Sequence, residues 1–119
     1  MTLLVAAVVG FAGVAIGAFG AHALSLEGYH RAVFETGARY HLIHALALLV
    51  VGVLAQRRPA RSLRLAAWAF GVGVLVFSGT LYLLAALDLR WLGAITPLGG
   101  VSLLVGWGAL AAYGWRQRR

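Results

Sequence analysis

Hydrophobic residues fill four long stretches of this chain, and charged residues are confined to the ends of those stretches. Residues 1–24, 65–87 and 92–115 carry no charged side chain, and each is long enough to cross a membrane as a helix, which takes about 20 residues. The uninterrupted apolar part of the second stretch, residues 45–55, is too short to span. Counting back about 20 residues from its end reaches Thr36, so polar residues after Thr36 lie inside the membrane or at its edge.

This pattern predicts an all-α fold, an integral membrane four-helix bundle built as one domain over residues 1–119. Thr96 and Pro97 are expected to start the last helix, with Thr96 as its N-cap. The predicted helices cover residues 2–24, 29–55, 64–87 and 96–115.

Composition supports the membrane assignment and excludes other classes of protein. Of 119 residues, 62% are hydrophobic and 11% charged, which is too little charge to cover the surface of a soluble domain. The net charge of +7 comes from arginines at the ends of apolar stretches, so no nucleic-acid partner is expected and the lipid bilayer is the predicted environment. The absence of cysteine excludes disulfides, thiolate metal sites and a cysteine nucleophile.

Arginines are distributed unequally between the two ends of the predicted bundle. Seven lie beside the second connection or in the C-terminal tail, and three lie on the opposite side. The positive-inside rule therefore predicts a multi-pass protein of the bacterial inner (plasma) membrane with cytoplasmic N- and C-termini. Cleavage of residues 1–24 as a signal peptide is the alternative, but this segment lacks a basic start.

Small residues recur at intervals of three and four along the first helix. Gly10, Gly13 and Gly17 share one face of it, where two helix backbones can approach closely. We expect this face to pack within the monomer. The alternative is an interface for a homo-oligomer or for a membrane-protein partner.

Charged residues of alternating sign are spaced four apart at the start of the second helix. Glu27, Arg31, Glu35 and Arg39 would form a series of i,i+4 ion pairs along one helical face. Arg39 lies nearest the membrane, and we expect its partner to be Glu35, since an unpaired charge there is costly.

Polar residues from all four helices are predicted to gather in the outer half of the bundle. Helical rise places His41 about 8 Å and His44 about 12 Å below Thr36. Neutral histidines that hydrogen-bond between helices would explain the group structurally, whereas a ligand, ion or proton site would explain it functionally. The candidate ligand-binding residues are His22, Arg39, Tyr40, His41, His44, Ser78, Tyr82 and Thr96.

The chemistry of this group favours binding over catalysis. Histidine spacing permits a metal or haem but does not require either, and no nucleophile with a base and an orienting acid can be recognised. We therefore predict no catalytic residue, no metal and no cofactor. The expected function is non-enzymatic binding of a lipid, a small ligand or a partner helix. A proton or solute channel or transporter subunit is the alternative, followed by a haem or metal redox protein.

Four short motifs in order resemble a known family. They are Gly17-Ala18-Phe19-Gly20-Ala21-His22-Ala23-Leu24, Tyr40-His41-Leu42-Ile43-His44-Ala45-Leu46, Phe77-Ser78-Gly79-Thr80-Leu81-Tyr82 and Ile95-Thr96-Pro97-Leu98-Gly99-Gly100 with Gly106-Trp107. Together they resemble the family of small membrane proteins of unknown function that includes the bacterial YgdD and YwdK proteins. The resemblance implies a four-span inner-membrane protein and implies no activity.

Overall fold

The computed structural model describes residues 1–119 as four long helices and one short 3₁₀ helix. The long helices are all long and apolar enough to cross a membrane, which confirms the predicted membrane four-helix fold. Their bounds differ from the predicted ones by three residues at most. The elements are α1 (Thr2–His22), α2 (Gly28–Arg57), α3 (Arg61–Leu87), the 3₁₀ helix (Arg90–Ala94) and α4 (Thr96–Gln117).

The helices pack against one another mainly in chain order. α2 and α3 form the centre, α1 lies against α2, and α4 lies against α3. The shared core comes from all four helices and includes Leu48, Leu63 and Phe70, which are almost completely buried. α1 contributes least, with only Ala6, Gly13 and Gly20 buried. α3 therefore packs closely on both α2 and α4, whereas α1 packs closely on α2 alone and leaves space beside α3.

The two ends of the bundle differ in charge. At the loop end lie the α1–α2 connection, residues 23–27, and the α3–α4 connection, residues 88–95. At the terminal end lie both chain termini and the α2–α3 connection, residues 58–60. All three acidic residues of the chain belong to the loop end, whereas seven of the ten arginines belong to the terminal end.

Glycines allow α3 and α4 to approach backbone to backbone. A Cβ atom added to Gly99 would lie 2.8 Å from the Cα of Phe77, and one added to Gly73 would lie 3.0 Å from the backbone nitrogen of Leu103. Neither space admits a methyl group. Close backbone approach replaces side-chain burial as a source of packing between membrane helices, because lipid is as apolar as the side chains themselves.

The start of α4 differs by one residue from the predicted cap. Ile95 is the N-cap, Thr96 is the first helical residue, and Pro97 follows in the first turn. The hydroxyl group of Thr96 lies 3.1 Å from the carbonyl of Leu92 and 2.6 Å from the hydroxyl of Thr80. The expectation that Thr96 caps the helix was wrong, because its side chain is used to join α4 to α3.

The glycine face of α1 is used mainly inside the chain. A Cβ on Gly13 would lie 3.2 Å from His41 Cδ2 and even closer to Leu42, and one on Gly10 would touch Ala45 at 3.9 Å. Gly17, by contrast, has nothing within 4 Å of such a position. The structure thus supports packing within the monomer for Gly10 and Gly13, and an oligomer contact through this face stays a prediction.

Candidate functional site

His41 joins α1, α2 and α3 through both of its ring nitrogens. Nε2 lies 2.8 Å from the carbonyl oxygen of Val9, and because a carbonyl only accepts, Nε2 must donate. Nδ1 of the neutral ring then accepts from the hydroxyl of Tyr82, also at 2.8 Å. The imidazole lies closely against Gly13, since a Cβ atom there would be 3.2 Å from His41 Cδ2 and 3.3 Å from Nε2.

His44 uses the opposite tautomer. Its Nδ1 lies 2.7 Å from the carbonyl of Tyr40 and must donate to it, so Nε2 accepts the indole N–H of Trp107 at 3.0 Å. Trp107 was not predicted to take part in a polar contact. Its signal was available, because an indole N–H in the middle of a membrane helix requires an acceptor.

Two further polar contacts tie α3 to its neighbours. Ser78 is buried and donates to the carbonyl of Gly37 in α2 at 2.7 Å. The hydroxyl groups of Thr80 in α3 and Thr96 in α4 are hydrogen-bonded to each other. The ring of Tyr40 packs on Phe77 with centroids 4.7 Å apart. Six of the eight candidate residues therefore belong to interhelical contacts: Tyr40, His41, His44, Ser78, Tyr82 and Thr96.

The structure does not bring His22 and Arg39 into this group. Both side chains are exposed, and neither makes a hydrogen bond or an ion pair within the chain. Arg39 is not paired with Glu35 as the sequence predicted, because Glu35 accepts from Arg31 Nε at 3.2 Å, one turn closer to the loop end. Of the predicted series of ion pairs, only this exposed one is present.

A separate polar cluster closes the loop end. His30 Nε2 donates to Asp88 Oδ1 at 2.7 Å, and Arg90 Nε donates to the same oxygen at 3.2 Å. The Arg90 guanidinium also lies 4.9 Å from the ring centre of Tyr29. The hydrogen bond from His30, followed by the one from Arg90, holds the pKa of the Asp88 carboxyl below its ordinary value.

An open cleft separates α1 from α3, with α2 as its floor. Its volume is about 690 Å³, and 13 of its 18 lining residues are hydrophobic. Met1, Val5 and Trp68 line the part near the terminal end, and the polar groups of His41, Ser78 and Tyr82 lie toward the loop end. We call this space the α1–α3 cleft. Gly71 and Gly79 line it from α3, and a Cβ atom added to either would meet nothing within 4 Å.

His41 and His44 are not arranged as a pair of metal ligands. No three histidine, aspartate or glutamate side chains come close enough together to hold a metal ion. Both ring nitrogens of His41 and of His44 are engaged within the fold, so neither ring offers a free lone pair. The α1–α3 cleft offers apolar contacts and a few hydrogen-bonding groups along its walls.

Comparison with known proteins identifies the chain's relatives. Residues 16–100 match the family model described as "Protein of unknown function (DUF423)". The chain belongs to this family. It is 40% identical over 119 residues to the inner membrane protein YgdD of Escherichia coli K12, covering 98% of this chain and 91% of the relative.

Two further relatives show a similar identity over a shorter length. The membrane protein YwdK of Bacillus subtilis is 43% identical over 97 residues, covering 79% of each chain. The membrane protein SH2409 of Staphylococcus haemolyticus is 41% identical over 96 residues, covering 79% of this chain and 78% of the relative. No solved structure matches the chain. These findings confirm the resemblance described from the motifs and make this a membrane protein of that family.

Proposed function

We propose that this protein is a non-enzymatic binding protein of the bacterial plasma membrane, and that its site is the α1–α3 cleft. The single observation that carries the proposal is this cleft of about 690 Å³, which is mainly apolar and has three polar side chains toward one end. Binding sites for small molecules are typically concave, apolar and of this size, with a few placed polar groups. A lipid-like molecule with a long apolar chain fits such a space.

The packing of α1 explains why the cleft stays open. α1 is held to α2 by small residues and by the bond between Val9 and His41, and α1 does not close onto α3. On the α3 side of the cleft, Gly71 and Gly79 have no side chain, so the space between them and α1 stays unfilled. A lipid chain entering between the two helices would gain contacts with both of them and with Leu48 on the floor.

The histidines act as supports for this site. His41 holds α1 at a fixed distance from α3 through Val9 and Tyr82, and it forms part of the cleft wall. His44 fixes α4 from the other side of α2. The proposed ligand therefore meets the edge of the polar group predicted from the sequence, at His41, Ser78 and Tyr82, and does not enter its centre.

Hydrogen-bond directions support binding over catalysis or proton movement. Ser78 donates to a backbone carbonyl, so its hydroxyl is not activated by a histidine. His41 and His44 each donate to a different backbone carbonyl, and no hydrogen bond links the two rings into a path. Between the polar side chains at one end of the cleft and Thr2 at the other, the wall includes Val5, Val8 and Leu75, which offer no polar group to a proton.

Filling the cleft tests this proposal. Gly71→Leu and Gly79→Leu should reduce the amount of lipid retained after gentle extraction, because both glycines line the cleft and a Cβ atom at either position meets nothing within 4 Å. Gly108→Leu is the matched control, since Gly108 is an exposed α4 glycine with equally open surroundings outside the cleft. Native mass spectrometry counts the lipid bound to each variant. Equal retention in all three variants would overturn the proposal.

We propose that the terminal end faces the cytoplasm, as the arginine asymmetry indicates. A single cysteine introduced beside Arg61 should then resist a membrane-impermeant reagent added from outside, whereas one at Ser25 should react. The chain has no cysteine of its own, so each engineered residue reports alone. Labelling beside Arg61 from outside would reverse the orientation.

A further inference from the structure

Two arginines of α3 are aligned with the α1–α3 cleft. Arg61 and Arg64 precede Trp68 by seven and four residues, and these helical spacings place all three on one face. The same face continues through Gly71, Leu75, Gly79 and Tyr82, which line the cleft. A rise of about 1.5 Å per residue puts Arg64 about 6 Å and Arg61 about 10 Å beyond Trp68 toward the terminal end.

These two arginines have no acidic partner in the chain. Both are exposed, and the ion pairs of the structure all lie at the loop end. Trp68, with 70% of its surface exposed, stands between them and the apolar part of the cleft. Tryptophan is the residue type that settles at the level of lipid head groups. Along α3, the two arginines are therefore followed by a tryptophan at the membrane interface and then by the apolar wall of the cleft. A phospholipid has the same order from its charged phosphate to its acyl chain.

We propose that the occupant of the cleft is an anionic phospholipid whose phosphate is bound by Arg61 and Arg64 and whose acyl chain lies between α1 and α3. This inference rests on the proposed function and adds the chemical class of the ligand. A guanidinium group offers a planar fork of N–H donors that matches a phosphate, and two of them favour a head group with net negative charge over a zwitterionic one. An orientation with this end in the cytoplasm would place the site in a leaflet rich in anionic lipid.

General membrane topology accounts for arginines at the terminal end but not for their alignment with the cleft. The positive-inside rule is met equally well by Arg57, Arg58 and the three arginines of the C-terminal tail. Of these, Arg58 is engaged with Gln117 at 3.2 Å, and Arg118 lies 5.4 Å from the ring centre of Trp115. Arg116 and Arg119 are exposed and do not belong to α3, whose face lines the cleft, so they provide a matched control pair.

The test measures which phospholipid stays bound. The full chain is reconstituted in nanodiscs of equal parts phosphatidylglycerol and phosphatidylcholine, released gently, and its retained lipid identified by native mass spectrometry. The unmodified protein should retain phosphatidylglycerol in roughly tenfold preference, as two charge-assisted contacts near a membrane surface allow. Arg61→Gln with Arg64→Gln should remove most of that preference and leave the total amount of lipid nearly unchanged.

The control pair separates a bound phosphate from overall charge. Arg116→Gln with Arg119→Gln removes the same net charge and should keep the tenfold preference. Equal loss of preference in both pairs would overturn the inference, and so would an unmodified protein without preference. These outcomes leave the proposed function standing as long as Gly79→Leu still lowers the total lipid retained. If Gly79→Leu retains as much lipid as Gly108→Leu, the proposed function itself fails.

Discussion

Glycines lie on both sides of α3, but they are closely packed on the side of α4 and open on the side of α1. On the side of α4, Gly73 is pressed against Leu103, and Gly99 of α4 is pressed against the backbone of Phe77. On the side of α1, Gly71 and Gly79 face open space. A glycine in a membrane helix thus marks either a place where two backbones meet or a place where nothing fills the gap, and only the neighbouring helix decides which.

This difference separates a structural interface from a candidate binding surface. The α3–α4 contact is close and is supplemented by the hydrogen bond between Thr80 and Thr96. The α1–α3 cleft is left for the membrane or for a ligand to fill. We expect mutations to act on the fold at the first surface and on binding at the second.

The largest effect is expected at the tight side. Gly99→Ala places a methyl group within 2.8 Å of the Cα of Phe77, and the backbone there has no flexible end that can move away. Overpacking at this contact should cost about 3 kcal/mol of unfolding free energy. Chemical denaturation in mixed micelles measures it, with Gly108→Ala as control because its surroundings are open. Equal stability of the two variants would show that α3 and α4 can move apart to accept the methyl group without a measurable loss of stability.

A smaller loss of unfolding free energy is expected at Tyr82 of α3, whose hydroxyl group contacts His41 of α2. Tyr82→Phe removes only the hydroxyl that donates to His41 and leaves Nδ1 of the imidazole without its donor. The cost should be about 1 kcal/mol, and a double-mutant cycle with His41→Leu should assign most of it to the pair. Tyr113→Phe is the control, since the hydroxyl of Tyr113 makes no hydrogen bond within the chain. Similar losses in both tyrosine variants would exclude a specific role for the His41 contact.

On the open side, adding a methyl group should stabilise the protein. Gly71→Ala meets no atom within 4 Å and replaces the residue that is least favourable in a helix interior after proline. We expect a gain of about 0.5 kcal/mol in unfolding free energy, opposite in sign to the loss at Gly99. The same denaturation measurement decides it. A loss similar to that at Gly99 would mean that α1 packs directly on α3 and that the cleft is closed in the membrane.

The smallest effect is expected beyond the membrane, at the end of α3. Asp88 has φ of 55°, a left-handed conformation that asparagine also tolerates, so Asp88→Asn removes the charge and keeps the backbone. The folded carboxyl has its pKa below the ordinary value of 3.8, first because of His30 and then because of Arg90. Its stabilising contribution is therefore present above pH 3.8 and is lost as the pH falls through the lower folded pKa.

Melting temperatures of the Asp88→Asn variant and the unmodified protein should consequently differ slightly at neutral pH and converge in acid. The His30→Gln variant keeps a hydrogen-bond donor for Asp88. In that background, Asp88→Asn should still lower the melting temperature at neutral pH, but by less than in the unmodified protein. A gap that widens as the pH falls below 3.8 would contradict the assigned role of Asp88.

The sequence predicted most of the fold because each membrane helix is specified locally. An uncharged run of about 20 residues has few alternatives to a helix in lipid, where every backbone N–H and C=O must be satisfied within the segment. For the same reason the depth of His41 and His44 could be predicted by counting residues. The structure places His41 beside Tyr82, one of the polar residues predicted near it, and places His44 beside Trp107, which was not predicted. Their backbone partners were not predictable, because Val9 and Tyr40 offer only a backbone carbonyl that every residue has.

Errors arose where two neighbours competed for one side chain. Arg31 and Arg39 are both four residues from Glu35, and the structure pairs Glu35 with Arg31. Helical spacing treats the two arginines alike. Thr96 similarly had the sequence position of a helix cap, yet Thr80 on the adjacent helix provided a different partner. For Thr96 the deciding atom lies on another helix, about which local sequence rules carry no information.

What the sequence determined by itself is the class, the number of helices and the charged end of the bundle, because hydrophobicity and charge act on each segment separately. Only the tertiary structure decided which glycines are contacts and which are gaps, and which side of α3 lies open. Those properties depend on the distance between helices, which the sum of many weak packing contacts sets. The α1–α3 cleft and its alignment with Arg61 and Arg64 follow from that distance.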